Sequence, residues 1–338
     1  MTATLTLTRD QIVGHRRKVG ALDERLPGTR ESLERAALAG LQDSMPRAAV
    51  LSLHARVDSV GPMAWGDPAF VQLWGPRYSA YVVAAKDRAT FSLGRLPDAE
   101  KARRRAIDIA DRLNALLGGE PADCRDAGRD LGIHPNAIRY AAPTGRVLIR
   151  WDGARQPDVW TVPAPEVEPD EARLELARRY LRVFGPGTPE GFGGWAGISA
   201  KGAIVTFASL DATLTPVATP IGDAWILTSD SAEMRSASGL AAPARLLPSG
   251  DTYYLLQGAD RELLVPDAAR RRLLWTSRVW PGALLVKGEI AGTWRRQKET
   301  VTISPWQAVT VSERRAIEAE AASLPLPGVE EIVVRWEE

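Results

Sequence analysis

Three consecutive polar residues near the start of the chain, Gln42, Asp43 and Ser44, carry side chains that can hold or activate a water molecule. A carboxylate can act as a general base, and an amide carbonyl can orient water through a hydrogen bond. A hydroxyl can hold water, but it reaches less far than an amide and is not a base at neutral pH. The segment is therefore a candidate site for hydrolysis.

The same residues also have a structural interpretation. Asp43 or Ser44 could cap a buried helix that begins near Ala48. If the segment is extended, Asp43 faces away from Gln42 and Ser44, because side chains alternate along extended backbone. Spacing alone favours the capping interpretation and leaves the chemical one open.

Basic side chains near this segment could bind phosphate. Of the 43 basic residues only six are Lys, and arginine forms bidentate contacts with phosphates and base edges. A genome rich in G and C would produce the same bias, and an exposed arginine is as often paired with a carboxylate. The candidate phosphate-binding residues are Arg47 and Arg56, which flank the segment, and Arg295 and Arg296, which lie on a predicted turn far along the chain.

Composition excludes several classes of protein. A length of 338 residues predicts two to four compact units, and 45% hydrophobic residues is ordinary for a globular chain. The single cysteine, Cys124, suits a reducing compartment, and no signal sequence or apolar run of 18 residues is present, so we expect a cytoplasmic protein. The three histidines and Cys124 lack metal-ligand spacing, and no nucleotide-binding motif occurs. We therefore expect no metal and no cofactor.

Helical and strand-like segments alternate along the chain and predict an α+β fold. Helix–turn–helix patterns followed by hairpins, typical of winged helices, occur over residues 124–162 and 171–227. The predicted helices span residues 9–19, 30–40, 48–57, 98–117, 171–184, 188–197, 203–209 and 312–323. From Leu246 to Ile303 the apolar residues recur with a period of two, which is typical of strands. The short strands predicted there, including Tyr253 to Leu256, indicate a small antiparallel β-barrel. The predicted domains are 1–75, 76–165, 166–240 and 241–338.

Several segments in this order resemble one family. The segment from Ala177 to Pro189 with Trp195-Ala196-Gly197, then Leu246-Leu247-Pro248 with Asp251, Tyr253 and Asp260-Arg261, and finally Gly288 to Arg296 resemble the AlkZ-like DNA glycosylases. The resemblance covers about residues 5 to 325. It implies three tandem winged helices and a small β-barrel that clasp duplex DNA in a concave cleft.

Three positions depart from the pattern of that family. The family shows a Gln-x-Gln or Gln-x-Asp pair where this chain has Gln42 and Ser44. A family tryptophan is His54 here, whereas Arg56 is kept, and a family histidine falls at Tyr81. These differences indicate a divergent subgroup.

The resemblance implies hydrolysis of the N-glycosidic bond of N-alkylated or bulky-adduct purines. An N7-alkylated purine is already a good leaving group, so the site must chiefly stabilise the sugar cation and position water. Gln42 matches the first family glutamine and Ser44 the second, and Asp43 could supply a carboxylate. The expected partner is alkylated duplex DNA, bound by a monomer at the nucleoid. The residues that the resemblance implies as DNA contacts are Arg47, His54, Arg56, Arg77, Arg295 and Arg296.

The alternative is a catalytically inactive winged-helix DNA-binding protein, such as a lesion sensor, a shield or a regulator. A regulator that dimerises on a palindromic operator is disfavoured, because operator readers usually present two copies of one helix. The sequence does not distinguish an active enzyme with Ser44 from an inactive binder, and it does not identify the lesion.

Overall fold

The computed structural model describes residues 5–45, 47–153, 155–236 and 239–337. Its first part is helical with short strands. The elements are β1 (Leu5–Thr6), α1 (Arg9–Val19), α2 (Arg30–Ala36), β2 (Leu41–Gln42), α3 (Ala48–His54), β3 (Phe70–Trp74), β4 (Ala80–Ala84) and α4 (Arg88–Ser92). The predicted bounds of α1 are confirmed. Its start is set by a capping box in which the Thr8 and Gln11 side chains each bond the other's backbone N–H.

The second part contains one long helix and a hairpin. The elements are α5 (Glu100–Leu117), β5 (Ala122–Asp123), α6 (Cys124–Asp130), β6 (Val147–Arg150) and β7 (Asp158–Thr161). An α-helix was expected before the hairpin as far as Tyr140, but Pro135–Thr144 is 3₁₀-helical. Pro143 within this segment has no amide hydrogen to donate, which opposes a regular α-helix.

The third part has three helices before a second hairpin. The elements are α7 (Pro169–Phe184), α8 (Pro189–Ala196), α9 (Ala200–Leu210), β8 (Leu214–Thr219), β9 (Gly222–Leu227) and α10 (Ser231–Arg235). Tyr180, Phe184, Phe192 and Trp195 pack with ring centroids 5.3–6.5 Å apart. This aromatic cluster forms the centre of the largest hydrophobic core.

The last part is mainly a sheet. The elements are β10 (Ala244–Leu247), α11 (Asp260–Leu264), α12 (Ala268–Leu274), β11 (Gly282–Val286), β12 (Glu289–Gln297), β13 (Thr300–Pro305), α13 (Val311–Ala322) and β14 (Val333–Trp336). The strand expected at Tyr253 to Leu256 is wrong, since Thr252–Tyr254 is a 3₁₀ turn capped by the Asp251 carboxylate and the two residues that follow belong to no strand.

The strands form three sheets, with orders β1-β8-β9, β2-β4-β3-β6-β7-β5 and β10-β11-β12-β13-β14. Among the described strands the last sheet is open, and its edge strand β14 runs parallel to β13. The predicted closed antiparallel barrel is therefore not observed. The α+β class is confirmed, and within the described ranges no helix has the length and apolar character needed to cross a bilayer.

Two pairings cross the predicted domain limits, which remain predictions. β1 pairs in parallel with β8, although their partner residues lie more than 200 positions apart, as Leu5 opposite Val217 shows. The limit at 75/76 falls between β3 and β4, which are neighbours in the six-stranded sheet. The first two predicted units therefore share one sheet, and strand β2, which ends at Gln42, lies at its edge.

Candidate functional site

The polar segment at the end of β2 is extended, and its side chains alternate. The Asp43 N–H donates to Ala80 O of β4 at 2.8 Å, continuing the pairing of Gln42 with Tyr81. Gln42 is half-buried, Asp43 is buried at 1% exposure and Ser44 is exposed. The structure thus separates Asp43 from the two residues that reach the surface.

Asp43 caps helix α3. Its Oδ1 accepts the Ala49 N–H at 3.0 Å, and its Oδ2 accepts the Gln72 Nε2–H at 2.9 Å. Burial raises the pKa of the Asp43 carboxyl to about 7, against the opposing effects of the Ala49 amide and the Arg47 charge. Both carboxylate oxygens therefore have partners within the fold, as the capping interpretation predicts.

Gln72 extends this contact to the hairpin β6–β7. Its Oε1 accepts the N–H of Trp151, the residue that follows β6, at 2.6 Å. Trp151 Nε1 in turn donates to Arg155 O within the connecting loop. A chain of hydrogen bonds thus joins Ala49, Asp43, Gln72 and Trp151, and it fixes the position of the hairpin relative to the candidate site.

Gln42 lies between an arginine and a glycine. Arg77 Nη2 donates to Gln42 Oε1 at 3.2 Å, from a backbone conformation with φ +55°. On the other side, a β-carbon added to Gly250 would lie 3.0 Å from Gln42 Nε2, and Gly250 has φ +77°. A larger residue at position 250 would be strained and would crowd the amide. The Arg77 hydrogen bond orients the Gln42 amide, and the absence of a side chain at Gly250 leaves it room.

Arg47 and Arg150 flank one aromatic ring. Their Cζ atoms lie 4.0 Å and 4.5 Å from the ring centroid of Trp65, within the range of cation–π attraction. Arg47 has φ +65° and precedes α3, whereas Arg150 ends β6. The two guanidinium groups place positive charge between the candidate site and the hairpin.

The predicted phosphate contact by Arg56 is wrong for this fold. Its side chain is 2% exposed and forms a bidentate pair with Asp251, with both N–O distances 2.7 Å. Ser52 O and Thr252 Oγ1 accept further hydrogen bonds from the same guanidinium. Since the charge is compensated inside the protein, Arg56 cannot reach a DNA backbone. It instead joins α3 to the loop that carries Gly250.

His54 is also buried, at 7% exposure, and the expected DNA contact is not possible in this structure. Its Nε2 lies 3.0 Å from Ser323 Oγ and 3.3 Å from Arg25 Nη2. Burial, with the nearby charges of Arg25 and Arg245, lowers the His54 pKa to about 4. The ring is neutral at neutral pH and packs against the region that follows α13.

Arg295 and Arg296 are exposed near the end of β12. They line one side of a cavity whose other side includes Met45, the residue after Ser44. The fold thus brings Arg47, Arg77, Arg295 and Arg296 to the surroundings of the Gln42 segment, whereas Arg56 and His54 lie in the interior.

Gln72, Gly250 and the Trp65–Arg150 pair were missed by the sequence reasoning. A signal for Gln72 was present, because it is the polar member of the apolar strand Phe70–Trp74. The pairing of Gly250 with Gln42 had no local signal. Across the described residues, no group of three or more metal-ligating side chains was found.

Comparisons with known proteins show which family and which fold the chain resembles. The sequence pattern of the family described as "DNA glycosylase AlkZ-like" matches residues 33–325. An interstrand DNA cross-link repair glycosylase of Streptomyces sahachiroi is 29% identical over 174 residues, which cover 50% of this chain and 46% of that relative. The match thus spans about half of the relative's length. The structure of Streptomyces sahachiroi DNA glycosylase AlkZ covers 98% of this chain and is itself covered completely, with a TM-score of 0.79 and 16% identity. At that identity the likeness establishes the fold.

Proposed function

Because the chain belongs to the AlkZ-like DNA glycosylase family, we propose that it binds alkylated duplex DNA and hydrolyses the N-glycosidic bond of N-alkylated or bulky-adduct purines. The observation that carries the proposal is the half-buried Gln42 amide, which accepts a hydrogen bond from Arg77, lies beside Gly250 and is followed by exposed Ser44. An interstrand cross-link is one form of such an adduct, as in the name of the Streptomyces sahachiroi relative.

Hydrolysis of an N7-alkylated purine needs little acid catalysis from the protein. When water attacks the anomeric carbon, a C–O bond forms, the C–N bond breaks, and its electron pair neutralises the positive charge of the N7-alkylated purine. Gln42 Oε1 already accepts from Arg77 and has a second lone pair that can accept from the attacking water. Ser44 can hold the same water, and the proton lost from it passes to solvent. The products are the free base and an abasic sugar.

Asp43 has a positioning role in this proposal. Its oxygens cap α3 and bind Gln72, so it fixes the backbone between Gln42 and Ser44 and does not face the substrate. We further propose that α6 with β6–β7 and α8–α9 with β8–β9 act as winged helices. In this arrangement Arg47, Arg77, Arg295 and Arg296 bind DNA phosphates, and the protein acts as a monomer in the cytoplasm, at the nucleoid.

The first test is base release from a duplex that contains one N7-methylguanine, with enzyme in excess. We expect the wild-type chain to release free N7-methylguanine. Gln42→Ala should lower the single-turnover rate by about 100-fold, the size of effect typical for loss of one preorganised hydrogen-bonding group in an active site. Duplex affinity, measured by fluorescence anisotropy, should change little, because Gln42 contributes to water positioning rather than to phosphate binding.

Gln307→Ala provides the matched control, since this glutamine is exposed, follows β13 and does not belong to the Gln42 segment. Its rate should equal that of the wild type. Absence of base release by the wild-type chain, at concentrations that saturate DNA binding, would refute the enzymatic proposal.

One observation favours the second candidate function, a catalytically inactive DNA-binding protein. Both oxygens of Asp43 have partners within the fold, which leaves neutral groups, Gln42 and Ser44, at the surface of this segment. This candidate predicts tight duplex binding without base release, unchanged by Gln42→Ala. Ser44→Gln restores the Gln-x-Gln pair of the family. If this variant releases base and the wild type does not, the serine at position 44 accounts for the inactivity of the wild type.

A further inference from the structure

A cavity of about 180 Å³ opens beside the Gln42 segment. Its walls are mostly apolar and come from distant parts of the chain, because α3 contributes one side and the last sheet with its loops contributes the other. Lining residues include Met45, Ala48, Leu51, Pro248, Trp280 and Pro281. The cavity touches the candidate site at two points, since Met45 follows Ser44 and the lining residue Ser249 precedes Gly250, the neighbour of Gln42.

The walls are held by hydrogen bonds of buried side chains. Tyr254 is fully buried, and its hydroxyl lies 2.7 Å from Pro248 O and 2.9 Å from Pro281 O, two residues of the wall. Trp294, a further wall residue, donates from Nε1 to Leu247 O at 2.8 Å. These hydrogen bonds of buried side chains fix the wall formed by Pro248, Pro281 and Trp294.

Trp280 supplies an aromatic wall. Its ring lies 6.4 Å from the ring of Tyr254, and the Arg261 Cζ lies 5.3 Å from its centroid, so its position is restrained on the protein side. The ring is partly buried and lines the cavity. Exposed Arg295 and Arg296 line the same space and add positive charge. An apolar cavity with an aromatic wall and cationic neighbours suits a planar aromatic group attached to a polyanion.

We propose that this cavity binds the planar aromatic part of a bulky purine adduct, stacked on Trp280 while Arg295 and Arg296 bind the neighbouring phosphates. The inference rests on the proposed function and adds a binding site for the adduct's substituent. The volume is below the roughly 300–1,000 Å³ of pockets that enclose whole drug-sized ligands, so a single ring system is the fitting occupant. An adduct bound there would place its glycosidic bond near Gln42 and Ser44.

The test compares two duplexes that differ only in the N7 substituent of one guanine, a methyl group or a naphthylmethyl group. Duplex affinity is measured by fluorescence anisotropy and base release under single-turnover conditions. The wild-type chain should bind the naphthylmethyl duplex more tightly. Trp280→Ala should weaken binding of that duplex about tenfold and leave the methyl duplex unchanged, as loss of one stacking contact predicts. Trp280→Phe should retain much of the preference.

Trp306→Ala is the matched control, because Trp306 is another partly buried tryptophan of the same region and does not line this cavity. Equal affinity of the wild type for the two duplexes would overturn the inference even if both were hydrolysed. Equal weakening of both alkylated duplexes by Trp280→Ala would also overturn it and would indicate an extruded base as the occupant. A Trp280-dependent preference without base release would support the cavity and refute the proposed hydrolysis.

Discussion

At the scale of single residues, Asp43 shows how a carboxylate can lie in a chemically suggestive segment and serve the fold. Its burial takes the charge out of water, and two hydrogen bonds compensate that cost in part. A carboxyl group whose pKa is raised above its ordinary value is destabilised when ionised. Its favourable contribution to folding is therefore present at low pH and is lost as the pH rises through the pKa in the folded state.

Asp43→Asn should change the pH dependence of stability. The pKa of Asp43 rises from its ordinary 3.8 to about 7 on folding, so ionisation costs the wild type stability between these values. Asparagine cannot ionise, and the stability of the variant relative to wild type should improve from pH 4 to pH 8. The change is on the order of 4 kcal/mol in free energy of unfolding. Urea unfolding at several pH values measures it.

Asp267→Asn is the control for this prediction. The Asp267 carboxylate caps α12 by accepting from the Ala269 and Arg270 amides, and these bonds lower its pKa. The ionised Asp267 carboxylate therefore stabilises the fold above its ordinary pKa, and this stabilisation is lost as the pH falls. Asp267→Asn should lower the free energy of unfolding more at pH 7 than at pH 3. Parallel stability curves for Asp43→Asn and wild type would show that Asp43 is ionised in the fold without cost.

At the scale of secondary-structure elements, the site depends on how two hairpins approach the end of β2. The hairpin β6–β7 is joined to the Gln42 segment through Gln72 and through the Trp65 ring between Arg47 and Arg150. On the other side, strand β12 presents Arg295 and Arg296 near its end, close to its turn into β13. Both elements bring positive charge to the same region.

Arg295→Ala with Arg296→Ala should reduce the salt dependence of DNA binding. Each phosphate contact releases about one counterion, so the slope of log K against log salt should fall by about 2 in the double variant. Affinity titrations between about 50 and 200 mM salt, the range over which this effect is large, measure the slope. Arg104→Ala is the control, because Arg104 pairs with Glu100 on the exposed face of α5. A slope unchanged in the double variant would remove these residues from the DNA interface.

At the scale of the whole molecule, the buried pair of Arg56 and Asp251 connects residues 195 positions apart. Asp251 also accepts from the Ser52 hydroxyl at 2.7 Å and from the Tyr253 N–H at 2.9 Å. The pair thereby joins α3 to the loop Pro248–Asp251, which carries Gly250 against Gln42 and Pro248 into the cavity wall. Correct assembly of the site requires that the N-terminal region and the last sheet fold together.

Arg56→Met should lower the free energy of unfolding by about 3–5 kcal/mol, because it leaves the Asp251 charge buried without its partner. In a double-mutant cycle, Asp251→Asn should lower the free energy of unfolding less in the Arg56→Met background than in the wild type. The coupling energy between the two positions should be about 1–3 kcal/mol. Urea unfolding provides all four values. The Glu100–Arg104 pair on α5 is the control, and its coupling should stay below about 0.5 kcal/mol, as for exposed helix pairs. Additive effects at Arg56 and Asp251 would show that the pair does not act as a unit.

The sequence by itself determined what short-range rules can specify. The helix predicted at residues 9–19 has those bounds in the structure, and the alternation of side chains in extended backbone predicted that Asp43 would face away from Gln42 and Ser44. The collinear resemblance also predicted the family, since it depends on the order of segments and not on their packing.

Only the tertiary structure decided which polar residues are available. Arg47 and Arg56 both flank the candidate segment, and the sequence predicts the same phosphate contact for each. Arg56 is nevertheless buried, because it pairs with Asp251 from a distant loop. The parallel pairing of β14 with β13 at the edge of the last sheet is likewise a contact that no local pattern indicates. The physical reason is the same in each case: burial and pairing depend on contacts between residues far apart in the chain, whereas propensity and periodicity report only on near neighbours.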